Sequence, residues 1–204
     1  MRRPRFIAEQ ARHAKGPLGW LIAFIMARET WAENLRAIDA LNIQPTDHVL
    51  DVGCGHGRSL GALAAREPRG YAVGADPSDL MTQIAVERNR ALVKAGRVKV
   101  VVATASDLPF ADATFDGAVC VHVLYFWKDL QSSFREMARV LKPGAKLALV
   151  FRSTQHTAAV QSFPADVYRF PELREVETAL ATAGFIVAPA AGQEHPAHAH
   201  LLVA

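Results

Sequence analysis

The stretch His48 Val49 Leu50 Asp51 Val52 Gly53 Cys54 Gly55 His56 Gly57 Arg58 decides the fold. An apolar run leads into glycines at alternate positions, and helix-forming residues begin at Arg58. Glycines in this pattern permit torsions that a side chain forbids, and let a ligand lie against the backbone where a helix starts. In an open α/β sheet that place is the crevice beyond the carboxyl ends of the strands, so the turn implies a nucleotide-like ligand. A dinucleotide fingerprint needs a further glycine three places after the second. Counted from Gly53 and Gly55 that place is Arg58, and counted from Gly55 and Gly57 it is Leu60, so neither register fits. Asp51, two residues before the first glycine, is badly placed beside a pyrophosphate and well placed beside an ammonium group. The next apolar run ends Val73 Gly74 Ala75 Asp76. This sets a second carboxylate at a strand tip about twenty residues after the turn, the position that accepts both hydroxyls of a ribose. Ser78 can cap the following helix itself, which leaves Asp76 for the sugar.

Beyond this turn, apolar runs at 48–52, 71–75, 98–103, 115–123 and 146–151 alternate with helical stretches at 58–66, 78–95 and 130–141, the last stopped by Lys142, Pro143 and Gly144. Strand, helix and strand in this order predict a parallel sheet covered on both faces. A further helix is expected at 173–183, followed by apolar runs at 185–188 and 198–203. The gap between those two runs is too short for a crossover helix, so they predict an antiparallel hairpin. From residue 18 to 41 the apolar residues recur mostly at helical spacing, as an amphipathic helix or helix pair. The expected fold is a single doubly wound, mostly parallel seven-stranded α/β sheet with a C-terminal antiparallel hairpin and an N-terminal helical cap. Residues 1–44 read as a basic arm and helical cap, and 45–204 as one Rossmann-like domain.

The composition agrees with one globular domain: 204 residues, 50% hydrophobic and 21% charged. No apolar run approaches the roughly 20 residues that cross a bilayer. An export signal is not expected, since no small-residue cleavage site follows the apolar run 18–27. Cys54 and Cys120 are too few for a disulfide framework, which points to a reducing, cytoplasmic compartment. Of the net charge of +3, the first fifteen residues carry +4 and the remainder −1. The basicity is therefore a terminal arm, read as a solvated end that can touch an anionic membrane surface, and a nucleic-acid partner is not expected.

Asp51 to Gly57, Asp76 to Met81, Ser106 Asp107 Leu108 Pro109 Phe110, Phe115 Asp116 and Arg139 Val140 Leu141 Lys142 Pro143 Gly144 resemble the ordered motifs of class I S-adenosylmethionine-dependent methyltransferases. The resemblance is to the subgroup with the quinone-biosynthesis C-methyltransferases and many small-molecule methylases, and covers residues 45–204. It implies S-adenosyl-L-methionine as cofactor, with Gly53, Gly55 and Gly57 along its methionyl part and sugar and Asp51 near its amino group. Asp76 would hold the ribose hydroxyls, and Pro77 and Met81 would pack on the adenine. An acid often receives the adenine amino group at the position of Thr104. A hydroxyl there is a weaker acceptor, so the backbone of Ala105 and Ser106 carries more of that contact.

His122 matches the position that faces the sulfonium and the incoming acceptor. A histidine there can act as a general base, or stand as a packed, hydrogen-bonded wall. Tyr125 and Trp127, with Phe126 between them, are expected around the acceptor pocket or in lid packing. The lid itself is expected from the N-terminal helix with Trp20, Phe24 and Trp31, the 125–127 loop, and the segment 152–170 with Phe163, Tyr168 and Phe170. The acceptor is read as a small, partly hydrophobic molecule. His195, His198 and His200 alternate as strand residues do, but no carboxylate or cysteine completes a ligand pattern, so no metal is expected. The expected reaction is an in-line displacement of the sulfonium methyl. Two rival classes stay in view: a non-catalytic protein that keeps the cofactor motifs, and a nicotinamide oxidoreductase, which lacks its glycine spacing here.

Overall fold

A computed structural model describes residues 4–12, 16, 30–189 and 199–204. Arg2, Arg3 and Lys15, residues 18–29 of the helix expected there with Trp20 and Phe24, and His195 and His198 lie outside the described residues. In chain order the elements are α1 (Arg5–Arg12), α2 (Trp31–Ala40), β1 (His48–Val52), α3 (Arg58–Arg66), β2 (Tyr71–Asp76), α4 (Asp79–Arg88), α5 (Arg90–Lys94), β3 (Val98–Val102) and β4 (Phe115–Val121). They continue with a short 3-10 turn (Leu124–Phe126), α6 (Leu130–Val140), β5 (Leu141–Phe151), α7 (Thr157–Ser162), α8 (Leu173–Thr182), β6 (Ala188–Pro189) and β7 (His200–Val203).

The strands form one sheet in the order β3-β2-β1-β4-β5-β7-β6. Neighbours from β3 through β5 pair parallel, and β7 runs antiparallel to both β5 and β6. Six strands have four or more residues and β6 has two, so the far edge is a stub rather than a seventh comparable strand. Its second residue is Pro189, which has no N–H to give to a ladder.

Alternate residues of each strand feed two cores. On one face Val49, Val119, Ala148 and Val150 meet Ala37 and Ile38 of α2, Leu60 and Leu63 of α3, and Ala85 of α4. On the other, Leu50, Ala118, Cys120, Leu147 and Leu149 meet Phe134 and Met137 of α6 and Leu180 of α8. Burial on both faces is why these strands read as continuous apolar runs. Chain order reverses between β1 and β4, the switch point where a crevice opens beyond the strand tips.

Several boundaries depart from the periodicity. The expected helix over 78–95 breaks at Asn89, whose side-chain amide donates to the Gly57 and Ala85 carbonyls at 2.8 and 2.9 Å. Strand β5 begins at Leu141, directly after α6, because Leu141 already pairs with Phe115. Lys142 to Gly144 are thus taken up in an irregular stretch of β5 before register resumes at Gly117 and Lys146. The terminal arm is not wholly a solvated tail: α1 buries Ala8 in the core, and Arg5 pairs with Glu9 at 2.8 Å and Asp166 at 3.2 Å. Helix α2 caps the cavity at its first turn, while Ala37 and Ile38 near its end belong to the core.

Candidate active site

A cavity of about 600 Å³ opens at the switch point. One end is formed by Asp76, Pro77, Met81, Thr104, Ala105 and Ser106, and the floor by Gly53, Cys54, Gly55 and Ser59. His122, Val123, Phe126 and Trp127 close the β4 side, and Gln10 of α1 and Thr30, Trp31 and Asn34 at the start of α2 stand over it. Arg58 lies over the Trp31 ring at 4.0 Å, joining the first turns of α3 and α2 at the rim.

The three glycines of the turn do different work. A Cβ on Gly53 would stand 2.3 Å from Val123 Cγ1, so this residue lets β1 and the end of β4 close together. Gly55 has φ +52°, and a Cβ there would meet nothing within 4 Å. Its left-handed torsion and its place on the cavity floor favour glycine. Gly57 does not line the cavity, contrary to the expectation. It caps α3 at φ +72°, and a Cβ would lie 2.6 Å from Ala85 Cβ, so its absence lets α3 and α4 meet.

Asp76 is buried and spans two loops. Its Oδ2 accepts from the Gly55 N–H and its Oδ1 from the Ser78 N–H, both at 2.9 Å. Each carboxylate oxygen has a further lone pair, which suits a vicinal diol. Ser78 also caps α4 by accepting from the Met81 N–H. Beyond β3, the Thr104 and Ser106 hydroxyls approach to 3.4 Å, and Thr104 forms a bridge with Asp107.

Asp51 is buried beneath the turn and does not line the cavity. It accepts a short hydrogen bond from the Ser59 hydroxyl, and Ser59 does line it. Burial raises the Asp51 pKa to about 7; the Ser59 bond opposes this and the Asp76 charge adds to it. The same burial pushes the Cys54 and Cys120 thiols well above their ordinary range.

His122 follows β4 with φ +58°. Its Nε2 is 2.5 Å from Glu33 Oε2 and its Nδ1 is 2.9 Å from the Tyr125 hydroxyl. An ionised carboxylate can only accept, so Nε2 carries the proton and Nδ1 accepts from Tyr125. The phenol oxygen in turn accepts the Arg152 N–H at 2.7 Å, and Arg152 Nη2 donates to Glu33 Oε1 at 2.8 Å. Burial lowers the His122 pKa, against the pull of Glu33. Burial acts to raise Glu33, but the hydrogen bond from His122 and the Arg152 charge outweigh it and leave Glu33 lowered. Both His122 ring nitrogens are thus engaged within the protein, and His122 lines the cavity wall.

Tyr125 does not line the cavity, contrary to its expected place in the acceptor pocket. Its hydroxyl is drawn inward to Arg152, and its ring packs 4.9 Å from Phe170 and 5.7 Å from Tyr168. Trp127 does line the cavity, edge-on to Phe134 at 5.5 Å. Phe163, Tyr168 and Phe170 stack behind Tyr125 and Phe126 as core, so the 152–170 segment is not the cavity's lid. His200 Nε2 pairs with the Ser153 hydroxyl at 2.9 Å. Among the described residues no three His, Cys, Asp or Glu side chains are grouped to hold a metal, and no helix is long and apolar enough to cross a membrane.

Three participants escaped the sequence: Ser59, Glu33 and Arg152. Ser59 carried a signal, as a hydroxyl on the first turn of the helix after the glycines. Glu33 and Arg152 are 119 residues apart, and only the fold joins them.

Residues 50–149 match the family model described as a methyltransferase domain. The chain is 39% identical over 101 residues to the O-methyltransferase rstn1 of Aspergillus nomiae, covering 50% of this chain and 44% of that protein. It is 40% identical over 114 residues to the demethylmenaquinone methyltransferase of Corynebacterium urealyticum, covering 56% and 45%. The match thus spans less than half the length of either relative. Among solved structures, a chain of the complex between the Haloferax volcanii Trm112 methyltransferase activator and a methyltransferase superposes with a TM-score of 0.73 at 25% identity, over 91% of this chain and 79% of that one. The glycine turn, the paired strand-tip carboxylates and these likenesses converge on the class I S-adenosylmethionine-dependent methyltransferases, with the methyltransferase domain model matching residues 50–149, just under half of the chain.

Proposed function

We propose that this chain transfers a methyl group from S-adenosyl-L-methionine to a small, partly hydrophobic acceptor by in-line displacement. The observation that carries this reading is the junction of the Gly55 N–H, the Asp76 carboxylate and the Ser59–Asp51 pair around one cavity at the switch point. When bound, the cofactor supplies a methyl group on a sulfonium sulfur, a leaving group that needs no acid. Asp76 accepts the ribose hydroxyls, Pro77 and Met81 pack against the adenine, and the backbone of Ala105 and Ser106, beside Thr104, meets its edge. Gly53, Gly55 and Ser59 run along the methionyl part, with Asp51 behind Ser59 offsetting its ammonium charge.

The catalytic contribution of the chain is alignment and exclusion of water. Trp31, Phe126 and Trp127 give the cavity apolar walls over its polar floor, and His122 holds one side rigid. Alignment of this kind can contribute ~7–11 kcal/mol without an acid or base. The relatives named for O-methylation and for demethylmenaquinone favour a small acceptor over a macromolecule. Calorimetric titration with S-adenosylmethionine, then a methyl-release assay across phenolic, quinol and amine acceptors, tests the reading. Binding with acceptor-dependent release is expected. Binding without turnover on any acceptor would favour a cofactor-holding protein, and no binding would overturn the reading altogether.

A further inference from the structure

We propose that Glu33 and Arg152 set the electrical balance behind the cofactor's sulfur, with Glu33 acting through His122, so that the cavity tolerates a sulfonium rather than only its thioether product. This rests on the function proposed above. Of the three residues only His122 lines the cavity; Glu33 and Arg152 stand behind it. If the ribose lies at Asp76 and the methionyl ammonium toward Ser59 and Asp51, the sulfur joining them lies near the β1 and β4 tips. His122 is the first residue after β4.

The network runs through both ring nitrogens, and Arg152 Nη1 also stands 3.3 Å from Nε2. Nε2–H of His122 donates to Glu33, Nδ1 accepts from Tyr125, and the Tyr125 oxygen accepts from the Arg152 backbone. Glu33 brings one negative charge and Arg152 one positive, 2.8 Å apart, while the imidazole stays neutral. The groups facing the ring are Glu33 from α2, Tyr125 from the 3-10 turn, and Arg152 and His156 from the chain after β5; Arg36 faces Glu33 from its own helix. Glu33 is mostly buried and Arg152 partly so, and the charges of such a pair are screened less than those of an exposed one. Neutralising Glu33 alone leaves the guanidinium uncompensated behind the ring. That opposes a cationic sulfur and is nearly indifferent to a neutral one. Removing both charges restores the balance.

S-Adenosylmethionine and S-adenosylhomocysteine carry the same ammonium and carboxylate, and their charge differs only at sulfur. Their dissociation constants are measured by calorimetry at pH 8 for the wild type, Glu33→Gln, Arg152→Met and the double variant. Glu33→Gln is expected to weaken S-adenosylmethionine at least fivefold and S-adenosylhomocysteine less than twofold. The double variant is expected to return S-adenosylmethionine to within twofold of wild type. Should Glu33→Gln fail to fold, Arg152→Met gives the test alone: it is expected to shift the ratio of the two constants at least twofold in favour of the sulfonium. Equal weakening of both ligands, an unchanged ratio, or a double variant worse than Glu33→Gln would overturn the inference while leaving the proposed function standing. A wild type that binds neither ligand would overturn both.

Discussion

The backbone N–H of Gly55 donates to Asp76 Oδ2 over 2.9 Å, so the turn after one strand is built onto the carboxylate that ends the next. The second oxygen takes the Ser78 N–H at the same distance. These two bonds fix the Asp76 carboxylate at the cavity wall, where ribose recognition would use it. Asp76→Ala is expected to weaken S-adenosylmethionine binding by more than tenfold in calorimetry, with the circular dichroism of the fold retained. Asp76→Asn, which keeps one acceptor oxygen, should fall between. Unchanged affinity in both variants would show that the ribose sits elsewhere.

Gly55 and Gly57 have similar torsions, yet different surroundings make their substitutions fail in different ways. A left-handed residue other than glycine costs about 1–2 kcal/mol, and Gly55→Ala should lose only that amount of stability. Its methyl group would stand on the cavity floor, so cofactor affinity should drop several-fold. Gly57→Ala adds a contact of 2.6 Å with Ala85 to the same torsional cost. Overpacking adds roughly 1–3 kcal/mol, so this variant should unfold at markedly lower urea. Urea titration and calorimetry on both variants check the contrast, which would fail if the two lost stability equally.

Asp51 is expected to make cofactor binding depend on pH. Its pKa of about 7 in the folded chain, against 3.8 when unburied, means the fold opposes its ionisation. The stability it contributes therefore falls as pH rises from about 4 through 7. A cationic ligand near Ser59 favours the ionised form, so binding near neutrality should release a proton. Affinity for S-adenosylmethionine should then rise several-fold between pH 6 and 8. Calorimetry in two buffers of different ionisation enthalpy counts the proton. In Asp51→Asn both the release from this site and its share of the pH dependence should vanish; if they persist, the coupling lies in the ligand's own amino group.

Much of this arrangement was legible in the sequence, and the rest was not, for physical reasons. Strands buried on both faces leave continuous apolar runs, so β1, β2, β4 and much of β5 stood out. The glycine turn and the Asp76 strand tip were readable because left-handed torsions and close packing at the turn admit few residue types. Tyr125 was misplaced because an aromatic side chain suits a pocket wall and a core equally, and only the position of Arg152 decides which way its hydroxyl turns. Helix α1 was missed because an arginine-rich start gives no hint that Ala8 is small enough to seat it on the core. The Glu33–His122 contact spans 89 residues, beyond the reach of any local pattern.

Glu67 supplies the last prediction, at the far end of α3 from the turn. Its side chain is fully buried, and neither carboxyl oxygen has a hydrogen-bond partner among the described residues. The neighbouring Arg97 donates through Nη2 to the Ala64 and Glu67 carbonyls at 2.7 and 2.6 Å, so its guanidinium serves the helix end rather than the carboxylate. Burial raises the Glu67 pKa to about 8, against Arg97 and with the help of Asp47. Between the ordinary carboxyl value of 4.5 and about 8 the folded chain holds a proton that the unfolded chain gives up, so stability falls as pH rises across that window. The loss is on the order of 2–4 kcal/mol by pH 8. Glu67→Leu, which fills much of the same space with no group to ionise, should exceed the wild type in urea midpoint by a margin that widens from pH 5 to pH 8. A margin that stays constant with pH would mean that Glu67 finds a partner for its charge.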